Sequence, residues 1–183
     1  ASEKANAITR SNSTILDEIE LKGFLERKNI RVVETEIGRF VLHMAKQKSY
    51  HPLSPSIHLS KEENNAILTE NFKLKPDSSI KQMVNFVRHE VAVESQDVPI
   101  CITGANFLLS DVGGVVLTEN EGNILKYTSM AKVHIVVAGI DKMIPNIDDL
   151  SVMLPLLSLH SNGQIMASCN TITFGPAKQG NGP

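Results

Sequence analysis

The chain has 183 residues, of which 42% are hydrophobic and 21% charged, with a formal net charge of −2 and a pI near 6.3. That is enough chain for one domain with a real core, and the charge balance and scarce aromatics (no Trp, two Tyr, six Phe) argue against a nucleic-acid binder. No stretch reads as a signal peptide or as an apolar run able to cross a bilayer, so a cytoplasmic protein that is not membrane-spanning is expected.

Residues 1–12 are small and polar and do not begin with Met, which reads as the flexible cut edge of a longer protein; Lys4 and Arg10 belong to it. Ser13-Thr14 with Asp17 and Glu18 form a helix start, and Ile15, Ile19 and Leu21–Phe24–Leu25 continue an apolar stripe to about Asn29. Ile30–Glu34 reads as a strand and Ile37–Lys48 as a helix with Phe40, Val41, Met44 and Ala45 inward. His51–His58 carries two prolines and reads as extended or as an irregular edge strand. Lys61–Phe72 is a helix capped by Ser60, and Pro76-Asp77-Ser78-Ser79 opens another. In that second helix Ile80, Met83, Val84, Val87 and Val91 recur at helical spacing, the pattern of a cover for a sheet.

From Pro99 the pattern changes to short β-branched runs and glycines. Pro99–Ile102 and Val115–Leu117 read as buried strands, and Val115–Glu119 with Ile124–Thr128 reads as a hairpin around Asn120-Glu121-Gly122-Asn123. Val133–Gly139 is apolar almost throughout, as a central strand covered on both faces would be. Asp148-Asp149 start a helix that Pro155 should end or kink near Leu157, and Ile165–Phe174 is a last strand. Residues 13–176 form the domain and 177–183 have linker composition. The whole reads as α/β, with a mixed, mostly parallel sheet flanked by helices.

Cys101 and Cys169 lie far apart in apolar runs and no C-x-x-C occurs, so reduced buried thiols are expected and no metal site. No Ser-His-Asp order, Walker loop or H-E-x-x-H is present, so any chemistry comes from polar groups gathered at strand ends. The stretch Ile102–Lys126 is the densest source, with Gly104, Asn106, Asp111, Gly113, Gly114, Asn120, Glu121, Gly122 and Asn123. Asp111, if buried, is a base or nucleophile with a raised pKa; as a turn former or helix cap it bonds its own backbone instead. The asparagines either donate to a carboxylate or phosphate or occupy left-handed turn positions. Lys142, after Ala138-Gly139-Ile140-Asp141, is an anion anchor or a solvated lysine. His51 and His58 are seven apart and do not pair on a regular strand, though one of them lines a site in the functional reading.

Three segments carry a resemblance: I-T-G-A-N-F-L-L-S-D-V-G-G-V-V-L-T-E-N-E-G-N (Ile102–Asn123), H-I-V-V-A-G-I-D-K-M-I-P (His134–Pro145), and Gly163-Gln164 with Gly175-Pro176. With E-I-E-L (Glu18–Leu21), V-V-E-T-E-I-G (Val32–Gly38) and H-P-L-S-P-S-I-H (His51–His58), they resemble the LUD domain of the lactate utilization protein B family over nearly the whole chain. The resemblance implies a cytosolic bacterial component of a three-protein system that oxidises L-lactate to pyruvate. It further implies two [4Fe-4S] clusters on a ferredoxin-like segment of a full-length protein, with no cofactor in this chain. Its implied fold is similar to the phosphoribose isomerase, glucosamine-phosphate deaminase and CoA-transferase superfamily, where glycine-rich strand ends hold substrate near a carboxylate. By motif this marks Gly104, Asn106, Asp111, Gly113, Asn120, Glu121, Gly122 and Lys142. The family's E-T-G-T is Asp111-Val112-Gly113-Gly114 here, its K-S-K-S-M is Arg10-Ser11-Asn12-Ser13-Thr14, and Pro155 interrupts a helix that usually runs on. Implied partners are the other lactate utilization proteins and a small anionic substrate; the sequence does not fix the oligomer, a homodimer being one alternative. The rival readings are a non-catalytic ligand-binding scaffold and, by fold analogy, a sugar-phosphate isomerase or acyl-CoA transferase.

Overall fold

A computed structural model describes residues 6–11, 13–49 and 55–175. In chain order the first half holds β1 (Ala7–Ser11), α1 (Thr14–Glu18), α2 (Leu21–Glu26), β2 (Arg31–Glu34), α3 (Ile37–Met44), α4 (Lys61–Phe72) and α5 (Ile80–Glu94). The second half holds β3 (Ile100–Thr103), β4 (Phe107–Leu109), β5 (Gly114–Glu119), α6 (Asn123–Met130), β6 (Val133–Val136), β7 (Met143–Ile144), α7 (Leu150–Asn162) and β8 (Cys169–Phe174). The architecture is α/β, as expected. A four-stranded sheet of order β2-β1-β3-β6 is parallel throughout, and a smaller sheet of order β7-β4-β5-β8 is mixed.

The helix starts legible in the sequence are built as expected. Ser60 and Ser79 each accept the N–H three residues on, from Glu63 and Gln82, whose side chains reach back to the cap N–H. Met83, Val87 and Val91 of α5 then pack with Val33, Phe40, Val41, Leu68 and Cys101 on one face of the parallel sheet. The other face carries Ile8, Val32 and Ile102 under Leu16 of α1. Burying a side chain such as Phe40 or Leu16 completely contributes about 1.5–3 kcal/mol.

Several sequence expectations are corrected. Residues 7–11 are not a flexible edge: β1 pairs with β2 and β3 and is an inner strand of the sheet. Its short, partly polar sequence hides this, because the Arg10 charge is matched by Asp17 and Glu34, which only the fold brings to it. The expected single helix to Asn29 is two, broken where Glu20 takes a left-handed backbone with φ 51°. The Ile124–Thr128 strand is instead helix α6; Gly122 turns the chain at φ 73°, and the Glu119 carboxylate accepts the N–H groups of Ile124 at 2.7 Å and Leu125 at 2.8 Å. The hairpin forms one step earlier, β4 with β5, Leu109 opposite Gly114. Val133–Val136 is an edge strand with Val133 and Ile135 48% and 42% exposed, since β1 and β3 occupy the centre.

Pro155 does not end its helix. α7 runs on to Asn162 and stops at Gly163 (φ 74°). Because Pro155 is six residues in, a missing N–H forfeits one intrahelical bond while the apolar face of α7 stays packed on the small sheet through Leu150, Met153, Leu154 and Leu157. Residues 55–58 form a turn rather than an extended piece, and His51 lies outside the described residues.

Candidate functional site

Parallel strands leave their carboxyl ends on one edge, and open α/β sheets bind ligands in the crevice there. Here β1 runs out into Ser13, β3 into Gly104-Ala105-Asn106 and β6 into Ala138-Gly139, and these segments line a cavity of about 510 Å³ closed on its far side by Met153 and Leu157 of α7. The Asp141 side chain lies back against Gly139, where a Cβ would stand 2.1 Å from its Oδ1. Lys142 is at this cavity, half exposed and 3.0 Å from Asp141.

A second chamber of about 210 Å³ adjoins the first and shares Asn106 and Leu157 with it. Its walls include Glu36, which follows β2, with Asn120 and Glu121 after β5 and Ser158 of α7. Asn106 carries the joint: its N–H donates to the Val116 carbonyl at 2.9 Å and its Oδ1 accepts the Thr118 N–H at 2.8 Å. Asn120 Oδ1 accepts the Ser168 N–H at 2.8 Å. In both asparagines the amide nitrogen makes no hydrogen bond among the described residues. The Ser158 hydroxyl is buried without a partner among the described residues.

Glu36 is the chemically distinctive group. It is 8% exposed, and burial pushes its carboxyl up to about 7; the Arg39 guanidinium, donating from Nε at 3.0 Å, opposes this, while Glu121 and Glu34 push it further up. Burial also raises Glu121, whose Oε2 accepts the Ile37 N–H at 3.3 Å at the start of α3. A carboxyl titrating near neutrality in a cleft is suited to accept and return a proton.

Of the residues marked from sequence, Gly104, Asn106, Asn120, Glu121 and Lys142 converge on this cleft. Asp111, Gly113 and Gly114 do not. Asp111 is exposed in the β4–β5 turn and its Oδ2 accepts the Ile147 N–H at 3.0 Å, so it is not the buried carboxylate the base reading needs, and it caps a backbone 36 residues on rather than bonding its own. Gly113 supplies the positive φ of that turn, and Gly114 packs where a Cβ would meet Leu109 at 3.0 Å and Phe174 at 3.2 Å. Gly122 turns the chain into α6, and His58, in its turn, bonds Gln47 Oε1 at 3.1 Å, away from the cleft. Glu36 and Ser158 were missed. For Glu36 a signal existed: Glu34-Thr35-Glu36 directly follows Val32-Val33, so it stands at a strand's carboxyl end. For Ser158 no local signal exists.

The fold is an α/β domain with a cleft at the carboxyl ends of its parallel strands. The LUD domain family model matches residues 2–182, and the chain belongs to the LUD domain family. It is 28% identical over 178 residues to the Escherichia coli protein named "Uncharacterized electron transport protein YkgF", covering 97% of this chain and 38% of that one. To "Lactate utilization protein B" of Bacillus pumilus it is 29% identical over 167 residues (91% of this chain, 35% of the relative), and to that of Bacillus cytotoxicus 29% over 177 (97% and 37%). The chain thus spans under two-fifths of the length of these relatives. No solved structure matches it.

An iron–sulfur cluster does not fit the residues present. A [4Fe-4S] cluster takes four thiolates, whereas the chain has two cysteines, Cys101 on β3 and Cys169 on β8, in different sheets. Among the described residues no group of three or more His, Cys, Asp or Glu is placed to hold a metal, and no helix is long and apolar enough to cross a membrane.

Proposed function

We propose that this chain is the LUD domain of a component of an L-lactate-to-pyruvate oxidation system, working with other lactate utilization proteins in the cytoplasm. Its strand-end cleft binds the small anionic substrate, and the electrons leave for iron–sulfur clusters carried outside this chain. The observation that carries the reading is the position of Glu36, poised near neutrality in the same cleft as Asn106, Asn120 and Lys142. The relatives' names support the pathway.

The roles follow from the donors. Lys142 and the amide nitrogens of Asn106 and Asn120 orient a carboxylate. Oxidation of a 2-hydroxy acid to a 2-oxo acid breaks the O–H and Cα–H bonds and releases two electrons and two protons: Glu36 accepts the hydroxyl proton, the Cα proton passes to solvent, and the two electrons pass one at a time to the clusters outside this chain. In the full-length complex, Glu36→Gln is expected to lower lactate-dependent reduction by about 10²–10⁴-fold, and Asp111→Asn to leave it within about twofold. The reverse pattern overturns the assignment. The ion pair between Lys142 and Asp141, which occupies the cleft's cation, favours a second reading: a scaffold that binds its ligand without turning it over. Under it both variants keep the complex's activity.

A further inference from the structure

The helix that closes the cleft is apolar on two opposite sides. Leu150, Met153, Leu154 and Leu157 of α7 pack inward on the small sheet. Val152, Leu156 and Leu159 recur at spacings of four and three on the other side, 59%, 45% and 54% exposed. Ile165 and Met166 continue the exposed apolar surface past the helix end at Gly163. A helix at a protein surface turns a polar or charged face outward, and one that is apolar all round is ordinarily covered all round.

The charges avoid the same region. From Leu150 to Gly175 the sequence holds no Asp, Glu, Lys or Arg, although 21% of the chain is charged; His160 is the one basic side chain there. The outer faces of α4 and α5, by contrast, carry Lys61, Glu62, Glu70, Lys81 and Arg88, all exposed. The five exposed apolar side chains on and after α7, at roughly 100 Å² each, present on the order of 500 Å². That is about the largest apolar patch an ordinary monomer shows, and more than half of the ~800 Å² that each partner gives to a standard interface.

Two properties of the face say what covers it. Without acidic or basic pairs it gives a charged partner nothing to recognise and its own copy nothing to repel, and contacts between identical chains are the more apolar class. The stripe also reads nearly alike in both directions. A twofold axis beside Leu156 sets Val152 of each copy against Leu159 of the other and brings the two Leu156 side chains together. Ser151 and Pro155, beside the stripe, add no long side chain to hold the helices apart. We infer that this face of α7 is the contact between two copies of the chain, packed antiparallel about Leu156. The contact is independent of what the cleft binds, but it backs the cleft: Met153 and Leu157, on the inner side of the same helix, form the cleft's wall.

Sedimentation equilibrium of the chain between about 1 and 100 μM, the range of a modest association, reads the contact directly. The wild type is expected to reach twice its 20.0 kDa within that range. Leu156→Glu and Leu156→Lys each set like charges together on the axis, and each should weaken the dimer at least tenfold. An equimolar mixture of the two should associate at least tenfold more tightly than either alone, a recovery that needs a residue meeting its own copy and that damage to the fold cannot produce. Ile80→Glu, at a 63% exposed position on α5, should leave the equilibrium within twofold. If a Leu156 variant fails to fold, Val152→Glu mixed with Leu159→Lys makes the same test, because those two positions face each other. A wild type that stays monomeric at the top of the range overturns the inference and leaves a different chain to cover α7. A dimer that both Leu156 variants keep, a dimer that Ile80→Glu dissociates equally, or variants whose mixture stays apart also overturn it.

Discussion

Replacing Glu36 by Gln should change how stability depends on pH. Glu36 ionises near 4.5 when unfolded and at about 7 in the folded protein, chiefly because burial disfavours the charged form. A raised folded pKa means that the native state holds the proton more tightly. The stabilisation is therefore full below pH 4.5 and is lost as pH rises through 7. The span is worth about 3 kcal/mol at ~1.4 kcal/mol per pH unit. Glutamine keeps the shape and an oxygen to accept the Arg39 Nε–H but cannot ionise. Urea unfolding of both proteins at pH 5 and pH 8.5 isolates the effect of Glu36 and the charges coupled to it, because titrating groups remote from Glu36 cancel between the two proteins. The variant should match the wild type at pH 5 and exceed it by about 2–3 kcal/mol at pH 8.5. A difference that is the same at both pH values within about 0.5 kcal/mol would refute the assignment of Glu36 as a buried, proton-holding carboxyl.

Glu119→Ala removes the acceptor for two backbone N–H groups at the start of α6 and should cost about 1–3 kcal/mol, measured by the same unfolding assay. Glu119→Gln, which keeps one acceptor, should recover part of it; equal stability of all three proteins would show that α6 starts without this cap. Of the two thiols, Cys101 is fully buried and burial pushes its pKa up, while Cys169 is partly exposed. A thiol reagent at pH 8 should therefore titrate one cysteine quickly in the native protein and both in urea. Rapid reaction of both without denaturant would contradict the packing of β3.

The readable parts of the fold were those with local causes. Ser60 with Glu63, and Ser79 with Gln82, announce α4 and α5 because a cap and its reciprocal partner are three residues apart, and the apolar spacing of Met83, Val87 and Val91 fixes the face that turns inward. The strand Arg31–Glu34 and the glycine-rich exit from β3 were likewise legible, and with them Gly104, Asn106, Asn120, Glu121 and Lys142 as residues gathered at one cleft. Ile124–Thr128 misled for the converse reason: its β-branched composition favours a strand, but Glu119 and the turn at Gly122 start a helix there.

What only the tertiary structure decided are the pairings between residues far apart in the chain. Arg10 looks like a surface charge until β1 lies beside β2 and Glu34 meets it, 24 residues on. Glu36 has an ordinary sequence environment; its carboxyl is raised because α3, the Glu121 segment and α7 shut water away from it. Asp111 reads as a candidate base on composition and is exposed because the chain turns at it, giving its carboxylate to Ile147 36 residues later. Capping, turns and periodicity act over three or four residues and are written in the sequence. Desolvation and charge pairing act through space, and for this chain they set which of its carboxylates holds its proton toward neutral pH.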